Sequence, residues 1–223
     1  MTKKYILTIL ATAFCLISMA QDDLKLKLDS IATSGLEKGI PGIQVIISDS
    51  KGYTIYNYGH HEIEKTTEVN DSTRWRYGSI TKVFTAVMIL QLESEGKLSI
   101  DDSATKYIDL KQHNAAGITI KHLLNHSSGL YNYTASKKLK WEDTPNLCLE
   151  NSLKRKLNFT PGSKYDYCNT GYVILGLIIE KITAQSYQQN ITERIFKPCG
   201  LESMIYCSDD KIPFNTARGY KIK

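Results

Sequence analysis

A serine hydroxyl three residues before a lysine amine lies on the same helix face as that amine and can hydrogen-bond to it. The amine can then take the hydroxyl proton, which turns a weak alcohol into a nucleophile. Ser79-Ile80-Thr81-Lys82 has this spacing. Four other Ser-x-x-Lys matches occur, at Ser48/Lys51, Ser94/Lys97, Ser103/Lys106 and Ser208/Lys211, so spacing alone selects nothing. Context does. Those four sit beside Gly or Asp in turn-like surroundings, whereas Ser79 follows the strand-like, aromatic run Trp75-Arg76-Tyr77-Gly78 and opens an apolar helical stretch. Tyr167-Cys168-Asn169 is a second candidate, and the sequence holds no other Tyr-x-Asn. A phenol beside a lysine can shuttle protons for a serine, and an adjacent amide can hydrogen-bond a substrate.

The elements that must hold these groups are read from periodicity. After Lys82, the residues Val83, Ala86, Val87 and Leu90 mark one stripe at helical spacing, and Phe84, Met88 and Leu92 mark another. A helix apolar on several faces is expected to be buried. It should end near Gly96. Lys82, on its first turn, should then be paired or pushed toward its neutral form. Upstream, Leu24 to Leu36 reads as an amphipathic helix, and Ile43–Ile47 and Tyr53–Tyr58 as a β-hairpin around Asp49-Ser50-Lys51-Gly52. Downstream come helices over Ile118–Leu124, near 145–156, over Thr170–Thr183 and over Tyr187–Phe196, with a turn at Pro161-Gly162 and an irregular end that has room for one strand. A hairpin followed by helices is an α+β order, and two strands do not make a stable sheet alone.

The bulk numbers narrow the setting. Lys3 and Lys4, the apolar run Tyr5–Ile17 and the small-x-small site Ser18-Met19-Ala20 read as a secretory signal over residues 1–20. The run is short for a membrane span. The expected product is a domain over residues 21–223, periplasmic or secreted, with no transmembrane segment. A net charge of +5 on 223 residues is weakly basic and points to no nucleic-acid partner. The clusters Lys137-Lys138-x-Lys140 and Lys154-Arg155-Lys156 read as solvated surface, with contact to an anionic cell envelope as the other option. After the signal the cysteines are Cys148, Cys168, Cys199 and Cys207, and the last two are nearest in sequence for a bridge. His122 and His126 are four apart without a Glu between them and read as structural, and His60-His61-Glu62 reads as a surface loop. No metal and no cofactor is expected.

Taken together, these stretches resemble the serine β-lactamase and penicillin-binding superfamily, in its class C and DD-peptidase-like branch. The likeness is carried by Tyr77-Gly78-Ser79-Ile80-Thr81-Lys82-Val83-Phe84, by Gly96-Lys97-Leu98-Ser99-Ile100-Asp101-Asp102, by Ile118 through Leu130, and by Tyr165-Asp166-Tyr167-Cys168-Asn169-Thr170-Gly171-Tyr172, with Pro198-Cys199-Gly200-Leu201 after them. The resemblance implies a β-lactamase/transpeptidase-like α+β fold and an acyl-enzyme mechanism. Ser79 would attack a carbonyl, Lys82 and Tyr167 would move the protons, and Asn169 would bind substrate. The Ser79 N–H would form half of an oxyanion hole at a helix start, where the dipole favours negative charge.

Two departures stand out. Cys168 replaces a small residue such as Ser, at tolerable volume. The resemblance also implies a third motif, Lys or His then Thr or Ser then Gly, on a strand beyond Asn169, and no such triplet occurs. The expectation is therefore an antiparallel sheet without its C-terminal strands, with an open hairpin edge and one oxyanion donor fewer, a loss of about 3 kcal/mol in catalysis. Two readings follow. One is a serine hydrolase acting on a small-molecule or peptide substrate: a D-alanyl peptide, a β-lactam or a small ester. The other is a non-catalytic or truncated relative that binds a peptidoglycan-like ligand or a protein partner.

Overall fold

The computed structural model describes residues 23–110, 117–136, 144–206 and 212–220. The signal-like residues 1–20, the cluster Lys137-Lys138-x-Lys140 and Cys207 lie outside the described residues. The chain divides into two compact units, one formed by residues up to Arg76 with 211–223, the other by 77–210.

In the first unit, helix α1 (23–37) precedes the strands β1 (Gly42–Asp49) and β2 (Gly52–Gly59), which pair antiparallel. Register runs from Gly42 opposite Gly59 to Asp49 opposite Gly52, so the hairpin closes through Ser50 and Lys51. The Lys51 N–H donates to Asp49 Oδ1 at 2.7 Å and braces the turn. At the open end two glycines are dictated by space. A Cβ on Gly42 would stand 2.2 Å from the His60 carbonyl oxygen, and one on Gly59 would stand 2.3 Å from that of Pro41. Tyr58 OH donates to Asp29 Oδ1 at 2.9 Å and ties α1 to β2.

Three expectations change in this unit. Leu24 and Ile31 on α1 are exposed, while Ala32 is buried. Trp75–Tyr77 forms no strand; Arg74 makes a single parallel bridge to Thr216. His61 and Glu62 are buried rather than on the surface. Glu62 tolerates burial because its carboxylate accepts from the Thr66 and Thr67 N–H groups and the Thr66 hydroxyl. His61 Nε2 has Thr73 Oγ1 at 2.8 Å.

The second unit is helical. A 3-10 turn, Gly78–Ile80, runs directly into α2 (Thr81–Ser94), which stops at Gly96, φ +70°. Next come α3 (Ile120–Leu124), α4 (Pro145–Leu153), α5 (Asn169–Thr183) and α6 (Tyr187–Ile191), the last continuing as a π-helical turn over Thr192–Phe196. Caps set several starts. Thr119 with His122, and Ser186 with Gln189, form capping boxes on α3 and α6, and Thr144 caps α4 ahead of Pro145. Helix α5 is the hub. Its Ile174, Leu175, Ile178 and Ile179 are fully buried with Met88, Ile89 and Leu92 of α2, Leu123 of α3 and Ile191 of α6. Each such side chain contributes about 1.5–3 kcal/mol by leaving water.

Helix α2 is not buried all round, as its composition led us to expect. Thr85, Met88, Ile89 and Leu92 face the core, while Val83, Val87 and Leu90 are exposed. The reason is one-sided packing: α5, α6 and the π turn all meet the same face.

Candidate active site

Ser79 sits in the 3-10 turn and Lys82 on the first turn of α2. Gly78 enters that turn with φ +52°, where a Cβ would meet nothing within 4 Å, so glycine is set by the backbone conformation and not by crowding. The continuous helical path brings Lys82 Nζ to 3.2 Å from Ser79 Oγ, to which it donates. Tyr167 OH donates to the same oxygen at 3.0 Å. Lys82 Nζ also donates to Asn169 Oδ1 at 2.8 Å. Of the residues read from the sequence, Lys82 and Tyr167 thus meet at the Ser79 hydroxyl and Asn169 joins through Lys82, although 88 positions separate Ser79 from Tyr167.

Tyr167 and Asn169 are delivered by the start of α5. Cys168 is its N-cap residue, in extended conformation, and Asn169 is the first helical residue. The loop after α3 clamps them. Asn132 Oδ1 accepts from the Asn169 N–H at 3.3 Å and from Asn169 Nδ2 at 3.4 Å, and Asn132 Nδ2 donates to the Tyr167 carbonyl at 3.3 Å. Thr134 Oγ1 accepts from Asn169 Nδ2 at 3.2 Å. With its amino group held by Asn132 and Thr134, the Asn169 amide is left with its oxygen toward Lys82. Neither Asn132 nor Thr134 was singled out from the sequence. The signal available was the Asn-x-Thr spacing after the Gly129 turn, which builds a local turn here: Thr134 Oγ1 donates to Asn132 Oδ1 at 3.0 Å.

Electrostatics follow from this packing. The Lys82 ammonium beside it, and then the contact with Ser79, hold the Tyr167 phenol below the usual tyrosine range against a smaller opposing effect of burial. Lys82 Nζ lies 5.0 Å from the Tyr167 ring centre and 5.5 Å from that of Tyr172. Among the described residues no carboxylate stands within ion-pair distance of Lys82, so the expected pairing is to neutral groups. Cys168, beside Tyr167, is no rival nucleophile. Burial pushes its thiol up, and its Sγ donates to the Leu130 carbonyl at 3.3 Å. Ser79, in the first turn of the helical path, keeps its N–H in the region where helices lack internal acceptors.

His122 spends its Nδ1 on the α3 capping box, accepting from the Thr119 N–H at 3.3 Å. Among the described residues no three His, Cys, Asp or Glu side chains cluster to hold a metal, and no helix is long and apolar enough to cross a membrane. Cys148, Cys168 and Cys199 form no disulfide with one another.

A serine, a lysine and a tyrosine converging at a helix start, in an α+β chain, define a serine-hydrolase type of site. The β-lactamase family model matches residues 26–223, and the chain belongs to that family, with the β-lactamase/transpeptidase-like fold. Protein flp of Staphylococcus aureus (strain MW2) is 30% identical over a match covering 91% of this chain and 42% of that protein. The D-amino acid amidase from Ochrobactrum anthropi SV3 superposes with a TM-score of 0.79 at 26% identity, over 89% of this chain and 57% of that one. The penicillin binding protein from Bacillus halodurans superposes with a TM-score of 0.71 at 27% identity, over 79% and 56%. The chain spans less than half the length of flp and somewhat more than half of the two solved chains.

Proposed function

We propose that the protein is an exported serine hydrolase that works through an acyl-enzyme on an amide or ester: a D-alanyl peptide, a β-lactam or a small ester. The carrying observation is that Tyr167 and Lys82 both reach Ser79 Oγ, at 3.0 and 3.2 Å. Tyr167, its phenolic proton given up to solvent under the pull of Lys82, acts as the base in its phenolate form. Ser79 Oγ bonds to the substrate carbonyl carbon while its proton passes to the phenolate oxygen. The oxyanion forms toward the Ser79 N–H and the helix start. Collapse breaks the amide or ester bond, and Tyr167 returns the proton to the leaving amine or alcohol. Water then attacks the acyl group by the reverse route, giving its proton to Tyr167, which passes it on to Ser79 Oγ as the acid is released. Lys82 stays protonated and offsets the phenolate charge, and Asn169 holds Lys82 and offers its remaining amide capacity to the substrate.

Family membership and the likeness to a D-amino acid amidase and a penicillin binding protein favour D-configured amides and β-lactams as substrates. Export rests on the signal-like residues 1–20, and cell-wall association on the same substrate class. The test is turnover of a D-amino acid amide, a D-alanyl-D-alanine peptide, a chromogenic β-lactam and a nitrophenyl ester. Hydrolysis of at least one, abolished in Ser79→Ala, is expected. Binding that survives Ser79→Ala with no turnover of any of the four would overturn the proposal and favour a binding protein.

A further inference from the structure

We propose that His126, as a neutral imidazole with its proton on Nε2, is the residue that positions Tyr167 against Ser79. This rests on the reading of Tyr167 as the proton carrier but adds a residue with no assigned task. Three observations carry it.

First, His126 holds a backbone conformation that most side chains avoid, φ +60°. The conformation is fixed from both sides: the Ser127 N–H donates to the His122 carbonyl at 2.9 Å, and the Asp166 N–H donates to the His126 carbonyl at 2.8 Å. Second, the Cys168 N–H donates to His126 Nδ1 at 3.2 Å. Nδ1 is therefore an acceptor, which assigns the neutral-ring proton to Nε2. With the Asp166 contact, this grips the segment on both sides of Tyr167. Third, the ring is packed among tyrosines. Its centre is 4.4 Å from that of Tyr167 and 5.2 Å from that of Tyr172, both tilted, and 6.0 Å from Tyr165 edge-on. The imidazole is thus the backing plate of the Tyr167 ring.

Protonating His126 undoes the arrangement twice. Nδ1 gains a hydrogen that points at the Cys168 N–H, so the acceptor is lost. The new charge also faces Lys82 of α2, whose ammonium already lies over the Tyr167 and Tyr172 rings. The other titratable groups packed on the ring are Tyr165, Tyr167 and Cys168 on the gripped segment and Tyr172 on α5, and Asp166 of the same segment acts on Cys168. Burial and the Lys82 charge both hold His126 below the ordinary histidine range, which keeps the acceptor form at neutral pH. The expected signature is an acid limb in Tyr167 positioning set by the histidine packed against its ring.

The experiment is an NMR pH titration of the protein, following the His126 ring nitrogens, the Cys168 amide and the Tyr167 ring, in parallel with the rate at which a fluorophosphonate labels Ser79. We expect Nδ1 to be unprotonated at neutral pH, and the Cys168 and Tyr167 signals to move with one common midpoint as His126 takes a proton. His126→Phe, which keeps a ring but no acceptor, should slow labelling about ten-fold or more. His126→Gln, whose amide oxygen accepts but does not titrate, should recover part of that rate and lose the acid limb. Cys168 and Tyr167 signals that stay fixed through the His126 titration would overturn the proposal, and the wild-type titration decides alone if a variant does not fold. Coupled NMR shifts without any Ser79 labelling would instead count against the hydrolase reading and leave this inference standing.

Discussion

Replacing Asn132 by Ala is the sharpest way to ask whether the loop after α3 sets the chemistry or merely lies beside it. The change removes three contacts to the second motif: two from Asn169, at 3.3 and 3.4 Å, and one to the Tyr167 carbonyl at 3.3 Å. These are long hydrogen bonds, at the weak end of the range, about 0.5 kcal/mol each. Their sum is about 1.5 kcal/mol, and they share one network, so the loss need not be additive. If that energy holds the Asn169 oxygen on Lys82, its loss lowers the rate of Ser79 acylation about ten-fold. Thr134 still accepts from Asn169 Nδ2 at 3.2 Å, which keeps the effect from growing larger. Asn132→Asp retains every acceptor contact and exchanges the donation to Tyr167 for a carboxylate oxygen, so on geometry it should lose about a third of the energy, a two- to three-fold slowing. The assay is the second-order rate of fluorophosphonate labelling, read beside a denaturant melt. An Asn132→Ala protein that labels at the parental rate, or one whose deficit Asp does not ease, would refute the reasoning.

Other outcomes follow from the same geometry. Tyr167→Phe, which keeps the ring and loses the proton carrier, should slow acylation by about 10²–10⁴ while leaving the melting temperature nearly unchanged. Ile178→Ala, at a fully buried position of α5, should cost about 2–5 kcal/mol in a denaturant melt. The Arg194 guanidinium, then Lys97, hold the Glu95 carboxyl down to about 2. This group is ionised more readily folded than unfolded, so its contribution is fully present above about pH 4.5 and is lost as pH falls toward 2. The group is partly exposed, so about 1 kcal/mol is involved, and Glu95→Gln should remove that slope from an acid stability curve.

Much of the fold was legible because periodicity marks packing. The hairpin registers over Ile43 to Tyr58, α5 starts one residue before the reading placed it, and α2 stops at the glycine expected to stop it. The meeting of Ser79 with Lys82 was legible for a simpler reason: three residues on a helix face is a fixed distance. What escaped was set by tertiary partners. The exposure of Val83, Val87 and Leu90 depends on which faces receive neighbours, which composition does not encode. Glu62 looked like surface until three donors from Thr66 and Thr67 closed on its carboxylate. Asn132 and Thr134 act on a residue 37 and 35 positions away, and no local pattern announces such a contact. His126 looked structural, and only its turn geometry and its ring neighbours set it apart.

The central claim is that the hydroxyl of Ser79 is the nucleophile, made so by Tyr167 and Lys82. Intact-mass analysis and peptide mapping of the protein after incubation with a fluorophosphonate test it most directly. The account predicts one adduct per chain, on the peptide containing Ser79, absent in Ser79→Ala and strongly slowed in Lys82→Met. A folded protein that takes no adduct, or one carrying it on another serine, would contradict it.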